Sequence, residues 1–130
     1  MIRGERAIRD VRVLVVDSDP DALELLAVAL IESGFSVRTA TNADEALLEA
    51  RRRTPSVVLA ADQASTRGGL ALCGALRRDL GREDIPFVLL TDRGGAAGSR
   101  GGTLRPAGVR VFPKPVDLPG LIGALRGLVA

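Results

Sequence analysis

Carboxylates, a threonine and a lysine stand where the chain leaves its apolar runs. Asp17 and Asp19 follow V-R-V-L-V-V, Thr91 ends P-F-V-L-L-T, and Lys114 follows V-R-V-F-P. Carboxylate oxygens are the ligands that Mg²⁺ prefers, and a lysine ammonium group can pair with a carboxylate. Lys114 is the single lysine among 18 basic residues, which favours a specific role as partner of Asp17.

The residue types that are missing exclude several chemistries. Histidine is absent, which removes Ser-His and Cys-His catalysis and the commonest zinc ligand. The one cysteine, Cys73, allows no disulfide framework within the chain and favours a cytoplasmic location. Without a basic or histidine neighbour, Cys73 is expected to pack as a small core residue. No apolar run is long enough for a membrane span and no signal peptide is evident, so no membrane partner is predicted.

Charge and aromatic content argue against a nucleic-acid partner. The net charge is only +2, and the aromatic residues are three phenylalanines. The glycine-rich stretch 94–102 lacks the Lys-Ser/Thr pair of a phosphate-binding loop, so we interpret it as a linker. No nucleophile–base pair supports a small enzyme or a nucleotide binder, so no enzymatic activity is predicted.

Apolar runs and helical patterns alternate five times along the chain. The predicted strands are 11–16, 35–40, 57–61, 86–91 and 109–112, and near-continuous apolar runs are typical of strands buried on both faces. Asp19 and Asn42 have the residue types and positions of helix N-caps. Since crossovers between parallel strands are right-handed, the pattern predicts a doubly wound, five-stranded parallel sheet in a three-layer α/β/α sandwich.

One domain is expected, over residues 11–130, after a polar N-terminal extension of residues 1–10. A fourth helix is expected near 94–102, but five glycines in nine residues oppose it. The stretch 94–105 is therefore predicted to be the most mobile internal segment. Because parallel strands bring their carboxyl ends to one edge, Asp17, Thr91 and Lys114 are expected to meet there.

Three motifs together resemble the receiver domain of bacterial response regulators. They are V-L-V-V-D-S-D-P at the first strand, I-P-F-V-L-L-T ending at Thr91, and F-P-K-P-V-D around Lys114. The resemblance covers about residues 11 to 129. It implies a flavodoxin-like α/β fold, Mg²⁺ held by acids after the first strand, and an aspartate at the end of the third strand that takes a phosphoryl group from a histidine kinase.

The same resemblance implies roles for particular residues. Asp17 matches the first acid, while Thr91 and Lys114 match the threonine and lysine that contact the phosphoryl group. The peptide bond between Lys114 and Pro115 is expected to be cis. Leu59–Asp62 (L-A-A-D) and Leu72–Asp79 (L-C-G-A-L-R-R-D) are also similar to the Frz polar-motility receivers of gliding bacteria.

Three positions depart from the family pattern. Ser18 stands at the second acid, Val111 at the switch aromatic, and Ala61 at the phosphoacceptor. In the family, a proline lies six residues before the phosphoacceptor and a glycine lies eight residues after it. Counted from Pro55 and from Gly69, both distances assign the phosphoacceptor position to Ala61. Asp62 follows one residue late, and a shift of one residue normally turns a side chain to the other face of a strand.

We therefore expect a pseudo-receiver that needs no cofactor and acts by binding proteins, possible partners being signalling or motility components. Leu25, Val28 and Ile31 lie off the core stripe of the first helix and are the predicted interface, for a protein partner or a weak homodimer. The alternative is a working response regulator phosphorylated on Asp62 with Mg²⁺. Partner identity and oligomeric state are not specified by the sequence.

Overall fold

The structure, a computed structural model, describes residues 11–62, 68–92 and 108–129. In chain order the elements are β1 (Arg12–Val16), α1 (Pro20–Glu32), β2 (Ser36–Ala40), α2 (Ala43–Arg52), β3 (Val57–Ala61), α3 (Gly69–Leu80), β4 (Phe87–Thr91), β5 (Val109–Pro113) and α4 (Leu118–Val129). The predicted extension 1–10 and the predicted mobile stretch 94–105, with its expected helix, lie outside the described residues.

All five strands are parallel and form one sheet in the order β2-β1-β3-β4-β5. From β1 the chain passes to the edge strand β2, then crosses to the other side of β1 to form β3, β4 and β5 in turn. Every residue of β3 and β4 is buried, whereas the edge strands β2 and β5 are partly exposed. The predicted flavodoxin-like, doubly wound fold is confirmed.

Helices cover both faces of the sheet because the side chains of each strand alternate between two cores. Leu14 and Val16 join a core with α2 and α3, and Val13 and Val15 join a core with α1 and α4. These two cores make the molecule a three-layer sandwich. The alternation also decides, at the end of each strand, which side chain turns to which helical layer.

The helix starts agree with the sequence. The Asp19 side chain accepts a hydrogen bond from the Asp21 amide at 3.0 Å, and Asn42 accepts one from the Glu45 amide at 2.9 Å. Cys73 is buried in the core between α3 and the sheet, and this burial raises the pKa of its thiol. Among the helices that the structure describes, none has the length and apolar content needed to cross a bilayer.

Candidate functional site

The strand register brings the sequence-predicted residues to one edge of the sheet. Val16 pairs with Ala60, so Asp17 is the next residue along β1 and Ala61 the next along β3. Ala61 pairs with Leu90, and Thr91 pairs with Pro113 immediately before Lys114. Consequently Asp17, Ala61, Thr91 and Lys114 all lie at the carboxyl ends of adjacent strands, as predicted.

Asp17 is a fully buried carboxylate with unequal oxygen atoms. Its side chain is 0% exposed, and its Oδ1 accepts a hydrogen bond from the Asp19 amide at 2.9 Å. Its Oδ2 accepts no hydrogen bond from the residues that the structure describes, and it lies 3.9 Å from the Lys114 Nζ. The predicted pairing of Asp17 with Lys114 is confirmed as an ion pair across the sheet, without a direct hydrogen bond.

Lys114 lies between two carboxylates, one of which the sequence reasoning missed. Its Nζ is also 3.9 Å from the Oδ1 of Asp92, whose side chain is 65% exposed. The Lys114 amide donates to the Thr91 carbonyl at 2.9 Å, which fastens the end of β5 to the end of β4. The Lys114–Pro115 peptide bond is cis, as the resemblance implies. The signal for Asp92 was its place directly after the last residue of β4.

Ala61 fills the end of β3 with a methyl group and is 1% exposed. Ala61 has the same parity along β3 as Leu59, which faces the α1 and α4 layer. The next side chain, Asp62, reaches the opposite layer, where its Oδ1 accepts a hydrogen bond from the Gly69 amide at 3.0 Å. Asp62 therefore caps the start of α3 from outside the helix, whose N-cap residue is Gly68. Alternation along β3 predicts that a residue one position late turns away from the layer that Ala61 faces.

Gly69 is held close to the sheet at this cap. A Cβ atom at Gly69 would lie 2.6 Å from Leu89 Cδ2, so a larger residue here requires the Leu89 side chain to move. Ser18 and Val111 are the two other positions that depart from the family pattern. Ser18 is exposed between Asp17 and the start of α1, and Val111 is half-buried in β5 against the α2 and α3 core.

The residues at this edge do not fit a Mg²⁺ ion. Mg²⁺ requires several oxygen ligands in octahedral geometry, and usually one or two carboxylates among them. Here the side chain of Ala61 supplies no oxygen, and the Asp62 carboxylate accepts a hydrogen bond from the Gly69 amide. Asp17 offers one oxygen that already faces an ammonium group. Within residues 11–62, 68–92 and 108–129, no group of three or more acidic, cysteine or histidine side chains could hold a metal ion.

The three apolar residues predicted to form an interface are all exposed on α1. The exposed fractions are 73% for Leu25, 45% for Val28 and 55% for Ile31. The core stripe predicted for the same helix, which consists of Leu23, Leu26, Ala27 and Leu30, is buried. That a partner covers the exposed side remains a prediction.

Known proteins share both the sequence pattern and the fold. The chain is 36% identical over 121 residues to the response regulator MprA of a Mycobacterium species, covering 92% of this chain and 50% of MprA. It is 35% identical over 80 residues to the DNA-binding response regulator MtrA of Mycolicibacterium smegmatis, covering 62% of this chain and 34% of MtrA. It thus spans half or less of the length of these relatives.

A solved structure and a family model complete the comparison. The chemotaxis protein CheY4 of Vibrio cholerae superposes with a TM-score of 0.79 at 21% identity, covering 91% of this chain and 98% of CheY4, which shows a shared fold. Residues 13–126 match the model of the response regulator receiver domain. This match spans the two cores and the edge that carries Asp17, Thr91 and Lys114. The chain therefore belongs to the family of response regulator receiver domains, the signalling modules of two-component systems.

Proposed function

We propose that this receiver domain takes no part in phosphotransfer and works as a pseudo-receiver through contacts with other proteins. The observation that carries the proposal is Ala61 at the end of β3, where a methyl group cannot accept a phosphoryl group. The nearest carboxylate along the chain is that of Asp62, and it accepts a hydrogen bond from the Gly69 amide at the start of α3.

The charges at the site support the same conclusion. In a receiver with two or three carboxylates at this edge, a divalent cation offsets their mutual repulsion. Here Asp17 is the one fully buried carboxylate among the described residues, and the Lys114 ammonium group faces it at 3.9 Å. A carboxylate that already faces an ammonium group gains little from a divalent ion, so we propose that the domain needs no cofactor.

The alternative is a working response regulator that is phosphorylated on Asp62 with Mg²⁺. Asp62 is half-buried and lies next to the acceptor position, which keeps this alternative open to test. For it to hold, the Asp62 carboxylate has to leave the Gly69 amide and turn toward Lys114. That movement removes the cap of α3, so it carries an energetic cost of about 1 kcal/mol.

The partner that we propose is a protein, and α1 offers the surface. Leu25, Val28 and Ile31 form an exposed apolar stripe on one side of the helix. The similarity of Leu59–Asp62 and Leu72–Asp79 to Frz receivers makes a motility component of the cytoplasm one choice. We propose no enzymatic, membrane or nucleic-acid role for residues 1–130, although the relative MtrA, of which this chain covers 34%, is named a DNA-binding response regulator.

Incubation with acetyl phosphate and Mg²⁺, followed by mass spectrometry of the intact protein, tests the proposal. In a competent receiver the phosphoryl group passes to a carboxylate oxygen and acetate leaves. We expect mass spectrometry to detect no phosphorylated species in the wild type. We also expect beryllofluoride to cause no change in the NMR signals of its backbone amides. A phosphorylated product that disappears in Asp62→Asn would establish the alternative.

A further inference from the structure

A second site lies at the opposite edge of the sheet, where the strands begin. There a cavity of about 340 Å³ opens between the starts of β1, β3 and β4 and the last residues of α4. Its walls include Arg12, Arg82, Asp84, Ile85, Leu128 and Val129. None of these residues belongs to the edge that carries Asp17 and Lys114. The function proposed for that edge therefore does not account for this cavity.

Arg12 is fixed in place at the centre of this edge. Its backbone amide donates to the Ser56 Oγ at 3.0 Å, and its Nε donates to the Thr54 carbonyl at 2.9 Å. Arg12 also lines a smaller adjoining hollow, which Arg38, Glu49 and Arg53 share. The two hollows meet at Arg12 and Pro55 and together form what we call the amino-edge groove.

The amino-edge groove has an excess of positive charge. Four arginines line it, Arg12, Arg38, Arg53 and Arg82, against the two acids Glu49 and Asp84. Asp84 is paired with Arg82 at 2.9 Å, and the Glu49 Oε2 is paired with Arg52 at 3.5 Å. The Glu49 Oε1 lies 3.9 Å from Arg38 and accepts no hydrogen bond from the described residues. Among the described residues, no acidic side chain lies within 4.0 Å of the Arg12 or Arg53 guanidinium group. Two guanidinium groups are therefore available to an anionic ligand.

The walls of the groove also have an apolar part. Pro55 and Ile85 are buried, and Leu128 and Val129 are half-buried, in the wall of the larger hollow that Arg12 also lines; Arg53 lines the smaller hollow. Planar guanidinium groups next to apolar wall atoms suit carboxylates that are carried on a chain with an apolar side chain. A bare polyanion would leave the apolar walls without contacts, and the chain has no tyrosine or tryptophan on which bases could stack.

We propose that the amino-edge groove binds an acidic segment of a partner protein, with one apolar side chain in the cavity and carboxylates on Arg12 and Arg53. Charge complementarity selects the acidic segment, and the cavity selects the apolar anchor. The groove lies at the other end of the sheet from Asp17, Ala61 and Lys114. Binding there is therefore independent of whether the domain takes up a phosphoryl group.

The test is a titration of the full chain with short synthetic peptides, followed by the NMR chemical shifts of the backbone amides. The probe is an acetylated, amidated E-D-L-E-D peptide, compared with E-D-S-E-D and with K-K-L-K-K. We expect the first peptide to shift the amides of Thr54, Ser56 and Leu128 with saturation, and the other two to bind at least about fivefold more weakly. Arg53→Gln, at an exposed helix end, and Arg12→Gln should each weaken binding about three- to tenfold.

The matched control is Arg110→Gln, which removes the same charge from an exposed position on β5 outside the groove. It should change the affinity less than about twofold. Equal binding of E-D-L-E-D by the wild type and Arg53→Gln would overturn the proposal. So would saturable binding of a duplex DNA oligomer, or of phosphatidylglycerol vesicles, through Arg12 and Arg53 without peptide binding.

Discussion

At the residue scale, the buried charge of Asp17 is the main energetic constraint on the site. A carboxylate that is 0% exposed loses most of its hydration, and within the described part of the chain its Oδ2 gains no hydrogen bond in return. Lys114 offsets part of this cost from 3.9 Å, with a side chain that is 21% exposed. Asp92 contributes less to Lys114, because an ion pair with a largely exposed carboxylate is screened by water.

Removal of Lys114 should therefore destabilise the fold. We expect Lys114→Ala to lower the free energy of unfolding by about 2–4 kcal/mol, because it leaves the Asp17 carboxylate buried without a counter-charge. Urea unfolding gives this number directly. The control is the pair Asp17→Asn with Lys114→Met, which keeps an Oδ1 acceptor for the Asp19 amide and should recover at least half of the loss. A loss below about 0.5 kcal/mol in Lys114→Ala would show that the pair is not structural.

Asp62 should behave as a helix cap. Asp62→Ala removes the acceptor of the Gly69 amide, and we expect it to cost about 1 kcal/mol of stability. Asp62→Asn keeps an oxygen at Oδ1 and should stay within about 0.5 kcal/mol of the wild type. Thermal unfolding of the two variants side by side measures the difference. An equal loss in both would mean that the negative charge, not the hydrogen bond, is what the protein needs.

Sequence reasoning found those site residues that follow from the ends of strands. Asp17, Ala61, Thr91 and Lys114 were predictable because parallel strands share one edge, and Asp62 was predictable by alternation along β3. Asp92 was missed although its place directly after β4 assigns it to the same edge; only its distance from Lys114 depends on side-chain conformations, which no sequence pattern specifies. The role of Arg12 in the amino-edge groove was missed for the same reason, since cavities form from residues far apart in the chain.

At the element scale, the five strands were predictable to within one residue at each end, and so were the starts of the first two helices. Long apolar runs bounded by capping residues specify where an element lies, as at Asp19 and Asn42.

The salt bridge between Arg51 on α2 and Asp79 on α3, at 2.8 Å, was not predictable because it depends on how two helices cross. The hydrogen bond between these side chains lowers the pKa of Asp79. The stability that it adds is present above the ordinary aspartate pKa and is lost as the pH falls through the lowered value.

Helix α1 gives a prediction about association. Val28 and Ile31 are 45% and 55% exposed, so glutamate at both positions should weaken binding or self-association through this face. Stability should change by less than about 0.5 kcal/mol for each residue, since neither is in the core. Sedimentation at increasing protein concentration measures self-association, and urea unfolding measures stability. Leu48→Glu, at an apolar residue of α2 that is 48% exposed, is the matched control. Unfolding of the double variant would show that both residues belong to the core.

At the scale of the whole molecule, charge is divided between the two edges of the sheet. The first turns of α1 and α2 contain acidic residues, such as Asp21, and the last turns of α2, α3 and α4 contain arginines, such as Arg51. This division follows from the helix dipoles, because every helix runs antiparallel to the sheet. One edge therefore presents Asp17, Asp62 and Asp92 with a single lysine, and the other presents the amino-edge groove.

The same architecture predicts that a metal site can be rebuilt at the acidic edge. The backbone at the ends of β1 and β3 has the receiver fold, and the missing elements are two carboxylates. Ala61→Asp with Ser18→Asp supplies them beside Asp17, where three carboxylates then repel one another at low ionic strength. We expect this variant to be less stable than the wild type without Mg²⁺, and to gain about 1.4 kcal/mol when Mg²⁺ is tenfold above its dissociation constant. Thermal unfolding over a Mg²⁺ series measures the gain, with Ser18→Asp alone as the control. If the wild type gains as much as the double variant, Mg²⁺ binds without Ala61 being replaced, and the proposed loss of phosphotransfer chemistry is wrong.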